Sequence, residues 1–217
     1  MFRDRTDAGK QLAEKLLKYK NKNVVVLAIP RGGVPVGYEI AKALNTDFDL
    51  IIPRKLPNPY EPESGIGAVS ETDDIILNKE EIYYSGISKK EVEKIISEQK
   101  EIIKERVKKL REGKALTNLE YRIAILVDDG LAMGSTMQAA IATARHKKAV
   151  KVVVAIPTAG YSIIELIGKK ADEVICIDKR KYFRAVADAY ENWYDLDDKE
   201  VTDIMRKYKK FRGKAKS

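Results

Sequence analysis

The 217 residues contain one cysteine, Cys176, so no internal disulfide can form. No apolar run reaches the roughly 18 residues that a membrane-spanning helix needs. The start, Met1-Phe2-Arg3-Asp4-Arg5, is charged and lacks the apolar region of a signal peptide. These absences set the expectation of a cytoplasmic protein with no membrane partner. Histidine is scarce too. His146 stands alone in Arg145-His146-Lys147-Lys148, at an expected helix end where cations suit the helix dipole, and reads as a surface residue. No internal repeat occurs, and the only biased segment is the basic stretch from Arg206 onward.

Hydrophobic residues make up 44% of the chain, enough to bury a core. The length suits one large domain, or a domain with an insertion. The formal charge is +8, concentrated in the basic C-terminal residues and a Lys-rich stretch near the middle. That charge has three readings: a solvated basic surface, a nucleic-acid partner, or a local positive site for a polyanionic substrate. The first is preferred, and a nucleic-acid partner is not expected.

The hydrophobic periodicity changes along the chain. Residues 6–19 place Leu12, Leu16 and Leu17 at helical spacing. Residues 24–29, Val-Val-Val-Leu-Ala-Ile, form a continuous β-branched run that predicts a buried strand. Pro30-Arg31-Gly32-Gly33 breaks it, and a helix is expected over 34–44. Residues 49–53 predict a second short strand. Residues 53–65 hold four prolines and predict a long irregular loop. Residues 66–69 and 75–77 predict a short β pair.

Residues 88–112 predict a long amphipathic helix, opened by a Ser88–Glu91 capping box and ended by Gly113. It could pack on the domain or mediate dimerisation. Strands are expected at 123–127, 150–156 and 174–177, with helices at about 136–146 and 163–169. Strand and helix alternate, which predicts an α/β fold with a mostly parallel sheet. Cys176 falls in the last strand and reads as a small buried hydrophobe.

The chemistry concentrates in Val127-Asp128-Asp129-Gly130-Leu131-Ala132-Met133-Gly134-Ser135-Thr136. A buried strand delivers two adjacent carboxylates, and glycines and hydroxyls then open a helix. Helix N-termini carry unpaired amides and partial positive charge, so they bind phosphate. Gly134 lets backbone approach a phosphate closely, and Ser135 and Thr136 can add hydrogen bonds. Asp128 and Asp129 are acceptors, suited to vicinal hydroxyls or to a magnesium-bound water. Phosphate donors beside hydroxyl acceptors describe a ribose 5-phosphate site. A Rossmann-like turn for another phosphate compound is the competing reading. The paired acids at this spacing weigh against it.

This loop resembles the motif by which type I phosphoribosyltransferases bind phosphoribosyl pyrophosphate (PRPP). Two other segments agree. Arg31, Gly32 and Gly33 stand where that family has its pyrophosphate loop. Arg54-Lys55 resembles the basic pair that holds pyrophosphate, followed at 56–71 by the place of a flexible lid. Phe2-Arg3-Asp4-Arg5, Gly65-Ile66-Gly67-Ala68-Val69 and Trp193-Tyr194 extend the resemblance to an uncharacterised branch, over roughly residues 2–205.

The resemblance implies the type I phosphoribosyltransferase fold, a parallel twisted sheet flanked by helices. It implies a single domain over 1–205 with a helical insertion at about 78–120 and a small hood from the termini, then a basic tail over 206–217. It implies a magnesium-dependent transfer of the phosphoribosyl group from PRPP to a small nitrogenous acceptor, with the Mg2+ carried on PRPP. Asp128, Asp129 and Lys55 take the catalytic positions, the two acids also facing the metal. Ala132, Met133, Gly134, Ser135 and Thr136 form the 5′-phosphate cradle. Arg31, Gly32, Gly33 and Arg54 face pyrophosphate. Two departures stand out. Met133 replaces the family's usual Thr, removing one hydroxyl. Ala132 stands where some purine enzymes carry an Asp general base. Trp193, Tyr190 and Tyr194 are candidates either to stack on a base or to pack the core. A homodimer is one expectation. The competing functional reading is a non-catalytic PRPP sensor that binds nucleic acid through its basic surface.

Overall fold

The computed structural model describes residues 1–61 and 64–215. Helix α1 (Arg5–Leu16) starts at Asp4, whose carboxylate accepts the Asp7 amide at 2.8 Å. Strand β1 (Val24–Ala28), helix α2 (Gly33–Leu44) and strand β2 (Asp47–Leu50) follow. Next come β3 (Arg54–Pro57), β4 (Gly65–Val69), β5 (Ile75–Leu77), α3 (Lys79–Tyr84) and the long α4 (Lys89–Leu110). The chain then forms β6 (Ile123–Val127), α5 (Ser135–His146), β7 (Lys151–Gly160), α6 (Tyr161–Gly168), β8 (Glu173–Arg180) and α7 (Asp198–Ala215).

Five strands form one sheet in the order β2-β1-β6-β7-β8, every neighbouring pair parallel. The β-branched runs explain it. β1 is buried along its whole length, as a strand covered on both faces must be. Its side chains alternate between two cores. Val25 and Leu27 join Leu126, Val154 and Ala140 beneath α5 and α6. Val24 and Val26 join Ile125, Val153, Leu12 and Ile40 beneath α1 and α2. No helix among the described residues is long and apolar enough to cross a membrane.

Two parts of the sequence reading change. Residues 53–65 were expected as an irregular loop, yet Arg54–Pro57 pairs antiparallel with Gly65–Val69 and makes a second sheet, β3-β4-β5. Pro57 sits where the register shifts, a place that tolerates a missing amide donor. Gly67 has φ +150°, and a Cβ there would stand 2.0 Å from the Ile76 carbonyl oxygen, so β5 can approach only a glycine. The lid expected at 56–71 thus contains the end of β3 and all of β4, with Pro62 and Glu63 outside the described residues.

The second change concerns the basic C-terminal stretch. Helix α7 runs unbroken through residue 206, and Val201, Met205 and Tyr208 are buried. The last two positions of the expected tail, 216 and 217, lie outside the described residues. Asp197 and Glu200 cap the start of α7 reciprocally, at 2.7 and 2.9 Å. Strand β2 also begins two residues earlier than expected, and β7 and β8 run further, to Gly160 and Arg180. Helix α4 carries the expected capping box, and Gly113 turns the chain after it with φ +73°. α4 packs on the small sheet: Val92, Ile95, Ile103 and Leu110 join Leu56, Ile66 and Val69 in a third core that also receives α7.

Candidate active site

Parallel strands leave a crevice at their C-terminal ends, and there the β6–α5 loop stands. Its shape is set by one inserted side chain. Leu131 is buried, and its amide donates to the Thr158 carbonyl at 3.0 Å, pinning the loop to β7. Gly134, at φ +77°, turns the chain into α5. The first intrahelical bond of α5 runs from the Gln138 amide to the Gly134 carbonyl. The amides of Ser135, Thr136 and Met137 thus have no acceptor within the helix and sit at its positive end.

These residues surround a cavity of about 280 Å³, lined by Lys55, Asp128, residues 130–136 and Val186. Met133 and Ala132 are exposed on its rim, while Ser135 and Thr136 are half-buried. Lys55 reaches it from β3, not from the end of the second parallel strand where the sequence had suggested the Arg54-Lys55 pair. The small sheet is what carries Lys55 to this cavity.

The two adjacent acids face different surroundings. Asp128 lines the cavity just described, and one of its oxygens accepts the Asp129 amide at 2.9 Å. Burial, and then the negative charge of Asp129, push its pKa well above the ordinary carboxylate value. Asp129 instead bonds Arg5 Nε at 2.8 Å, and both side chains are buried. Burial pushes Asp129 up as well, with Arg5 opposing the shift. The carboxylate of Asp129 presses on the α2 loop: a Cβ at Gly32 would lie 2.0 Å from its Oδ2. Gly33 meets the same constraint, its would-be Cβ lying 2.5 Å from the Val127 carbonyl oxygen.

Arg5 is a residue that sequence reasoning left without a role. Its Nη1 donates to the Tyr194 carbonyl at 2.8 Å, and its guanidinium lies 3.9 Å over the Trp193 ring. Tyr190 donates its hydroxyl to the Asp129 carbonyl at 2.6 Å and packs tilted against Trp193. Phe2 pairs with Tyr190, so the two ends of the domain meet over the second acid. A signal existed: Arg5 precedes Ala8 and Leu12 on the same helix face, a charge heading a buried stripe.

A second cavity, about 270 Å³, is lined by Arg5, Arg31, Gly32, Asp129, Val186, Trp193, Asp195 and Leu196. Val186 lines both cavities and lies over Gly130, whose added Cβ would meet it at 2.7 Å. The Arg31 side chain is partly exposed and approaches Asp198 at 4.0 Å. The Pro30–Arg31 peptide is cis. Arg54 points the other way along β3, its Nε donating to Gln99 at 3.2 Å. A larger cavity, about 420 Å³ and lined by residues such as Asp47, Lys114 and Tyr208, lies at the edge strand β2 and involves none of the loop residues.

Among the described residues no three His, Cys, Asp or Glu side chains gather as a metal cage. Of the two loop carboxylates, Asp128 lines the first cavity, while Asp129 is bonded to Arg5 and lines the second. This donor set suits a cation that brings most of its own ligands, such as magnesium on a diphosphate, and not one held by protein alone. Elsewhere, His146 is exposed and stands 3.6 Å from Asp74. Cys176 is half-buried in β8, where burial pushes its thiol up to about 11, so it is no ready nucleophile.

Residues 3–192 match the model of the phosphoribosyl transferase domain. Two Mycobacterium tuberculosis proteins, one from each of two strains, are 38% identical over 205 residues, 94% of this chain. Their names describe them as candidate phosphoribosyl transferases. The match takes in 46% of their length, so the chain spans about half of each. The crystal structure of TT1426 from Thermus thermophilus is similar with a TM-score of 0.79 and 32% identity, covering 96% of this chain and 99% of that one.

Proposed function

This chain belongs to the phosphoribosyltransferase family, and from that membership we propose that it transfers the 5-phosphoribosyl group of PRPP to a small nitrogen nucleophile, releasing pyrophosphate. The observation that carries this reading is the cavity in which unpaired α5 amides stand beside the Asp128 carboxylate and the Lys55 ammonium. A sugar phosphate needs donors at one end and acceptors at the other, and this wall offers both.

In this reading the amides of residues 132–136 and the hydroxyls of Ser135 and Thr136 hold the 5′-phosphate. Backbone donors suffice where Met133 replaces a hydroxyl. Asp128 accepts hydrogen bonds from the ribose hydroxyls. Lys55, Arg31, Arg54 and the loop at Gly32 and Gly33 face the pyrophosphate. The C1–O bond breaks, its electron pair leaves with pyrophosphate, and the acceptor nitrogen bonds to C1. Cations held at the leaving group stabilise the charge it gains. Asp128 would accept from the water shell of a magnesium ion bound to PRPP, which would further neutralise that group.

The second cavity adjoins the first at Val186 and supports a place for the acceptor, between the Arg31 loop and the Trp193 side of the hood. Ala132 offers no base, so the acceptor's proton leaves through solvent or another group of the ligand complex. Asp129 has a positioning role: clamped by Arg5, it buttresses the glycine loop that Arg31 opens.

Pyrophosphate release from PRPP and magnesium, measured across a panel of nucleobases and simple amines, tests the reading. Release with at least one acceptor is expected. PRPP binding without release for any acceptor, accompanied by salt-sensitive RNA binding, would favour the sensor instead.

A further inference from the structure

Helix α4 packs on the small sheet through an apolar stripe, but two polar residues interrupt it. Gln99 is buried between Ile95 and Ile103, and Arg106 follows three positions after Ile103. Gln99 is occupied by Arg54, as described. Arg106 is not so well served. Its Nη2 is buried and has no hydrogen-bond partner among the described residues. The Asp198 Oδ1 that faces it at 3.8 Å is likewise buried and without one. Arg31 Nη1 reaches that same oxygen only at 4.0 Å. Lys109 alone makes a close contact, 2.7 Å to the other oxygen, Oδ2.

The charges do not balance. Arg31, Arg106 and Lys109 converge on a single carboxylate. Arg54 stands near enough that, after burial, the charges of Arg106 and Arg31 hold its pKa down. Arg106 is held down chiefly by burial, with Arg31 adding to that and Asp198 opposing it. Three cations share one carboxylate, and Arg106 is the most buried of them, so its charge is the least answered in the absence of further negative charge. Distances of 3.8 and 4.0 Å also exceed the 2.7–2.9 Å or so of a charge-assisted hydrogen bond. The guanidiniums surround Asp198 without being satisfied by it.

We infer that Arg106, supplied by the α4 insertion, is a pyrophosphate-binding residue that acts with Arg31 and Arg54, and that Asp198 at the start of α7 is an internal carboxylate which the pyrophosphate oxygens displace. The inference rests on the PRPP reading and adds to it a residue from outside the parallel-sheet core. It also gives the long helix a role at the site beyond covering the small sheet. The ligand class is a diphosphate, because three guanidiniums, from the turn before α2, from β3 and from α4, match more oxygens than one phosphate presents.

The test is calorimetric titration of the 217-residue chain with magnesium pyrophosphate and, separately, with ribose 5-phosphate. For Arg106→Ala, pyrophosphate binding is expected to weaken by about 10- to 100-fold, the range for a charged hydrogen bond. Ribose 5-phosphate binding should stay as in the wild type, and Arg106→Lys should recover part of the loss. Asp198→Asn should move pyrophosphate affinity the opposite way, tightening it several-fold, a change that a purely structural ion pair would not produce. Unchanged pyrophosphate binding in Arg106→Ala, or weakening in Asp198→Asn, would overturn the inference. If Arg106→Ala does not fold, the Lys and Asn variants decide. A wild type that binds ribose 5-phosphate but not pyrophosphate defeats this inference and leaves the ribose-phosphate site standing. One that binds neither defeats both.

Discussion

Asp128 and Asp129 are neighbours in sequence with opposite duties. Asp128 faces the cavity, and its raised pKa means that the folded protein holds its proton more tightly than the unfolded chain does. The stability from that proton is full below the ordinary value of 3.8 and is lost as pH rises through the folded value. Asp128→Asn removes that loss. Its melting temperature at neutral pH should therefore be equal or higher, while its affinity for magnesium PRPP falls at least about tenfold. Equal affinity by calorimetry would rule out Asp128 as a ligand contact. Burial raises the buried Asp129 as well, but it is paired with Arg5, which opposes that shift. Arg5→Met should cost about 3–5 kcal/mol at neutral pH, the range for orphaning a buried charge. The deficit should shrink in acid, where Asp129 can take up a proton. Denaturant melts at two pH values measure both signs. For the same reason a double substitution of both acids confuses ligand contact with folding, and the single Asp128 variant is the cleaner probe.

At the scale of elements, a polar clasp holds the far end of the sheet. Glu173, opening β8, accepts from Lys18 and Tyr19 beyond α1 and from Lys151 at the start of β7, the last at 2.9 Å. Burial alone would raise its pKa, but the hydrogen bonds from Lys18, Tyr19 and Lys151 prevail and bring it to about 2. A depressed carboxylate contributes stability above its unfolded value and loses it as pH falls, here between 4.5 and about 2. Glu173→Gln should flatten the acid limb of the stability profile and cost on the order of 2 kcal/mol at neutral pH. An unchanged acid limb in pH-dependent melts would show that the clasp contributes nothing. The other elements differ in how plainly the sequence announces them. The parallel strands are visible as β-branched runs because both faces are buried. The β4–β5 pair is legible at 66–69 and 75–77, but β3 is hidden, since the prolines around it are residues that local propensity assigns to loops. Gly67 is there because β5 approaches too closely for a side chain: a Cβ on it would stand 2.0 Å from the Ile76 carbonyl oxygen.

For the whole molecule, the C-terminal helix ties the α4 insertion to the parallel sheet. Tyr208 is buried between Tyr38 and Phe48 and donates its hydroxyl to the Ala41 and Thr46 carbonyls. Arg212 bonds the Asn45 carbonyl at 2.7 Å and Asp47 at 3.1 Å. Tyr208→Ala should therefore lose about 3–5 kcal/mol, as large core truncations do. A free basic tail would lose almost nothing, so urea denaturation separates the two. Lys109 and Arg212 pair with Asp198 and Asp47, so part of the basic stretch is engaged in ion pairs within the fold. Dense Lys and Arg made the second half of α7 look like a tail, although Val201, Met205, Tyr208 and Phe211 keep helical spacing along it.

The sequence by itself determined the alternation of strand and helix and the acidic, glycine-bearing loop that opens α5. Each of these is written in contiguous residues whose local chemistry is sufficient: β-branched runs, turn glycines and helix-opening amides. Tertiary structure decided the rest. It turned Asp129 toward Arg5, 124 residues away, and left Asp128 to the cavity. It brought Arg54 and Lys55 in on an antiparallel sheet, and it set Arg106 beside Asp198. Those meetings depend on how separate helices pack. A carboxylate's surroundings, and so its charge and its task, are fixed by neighbours that the local sequence does not name.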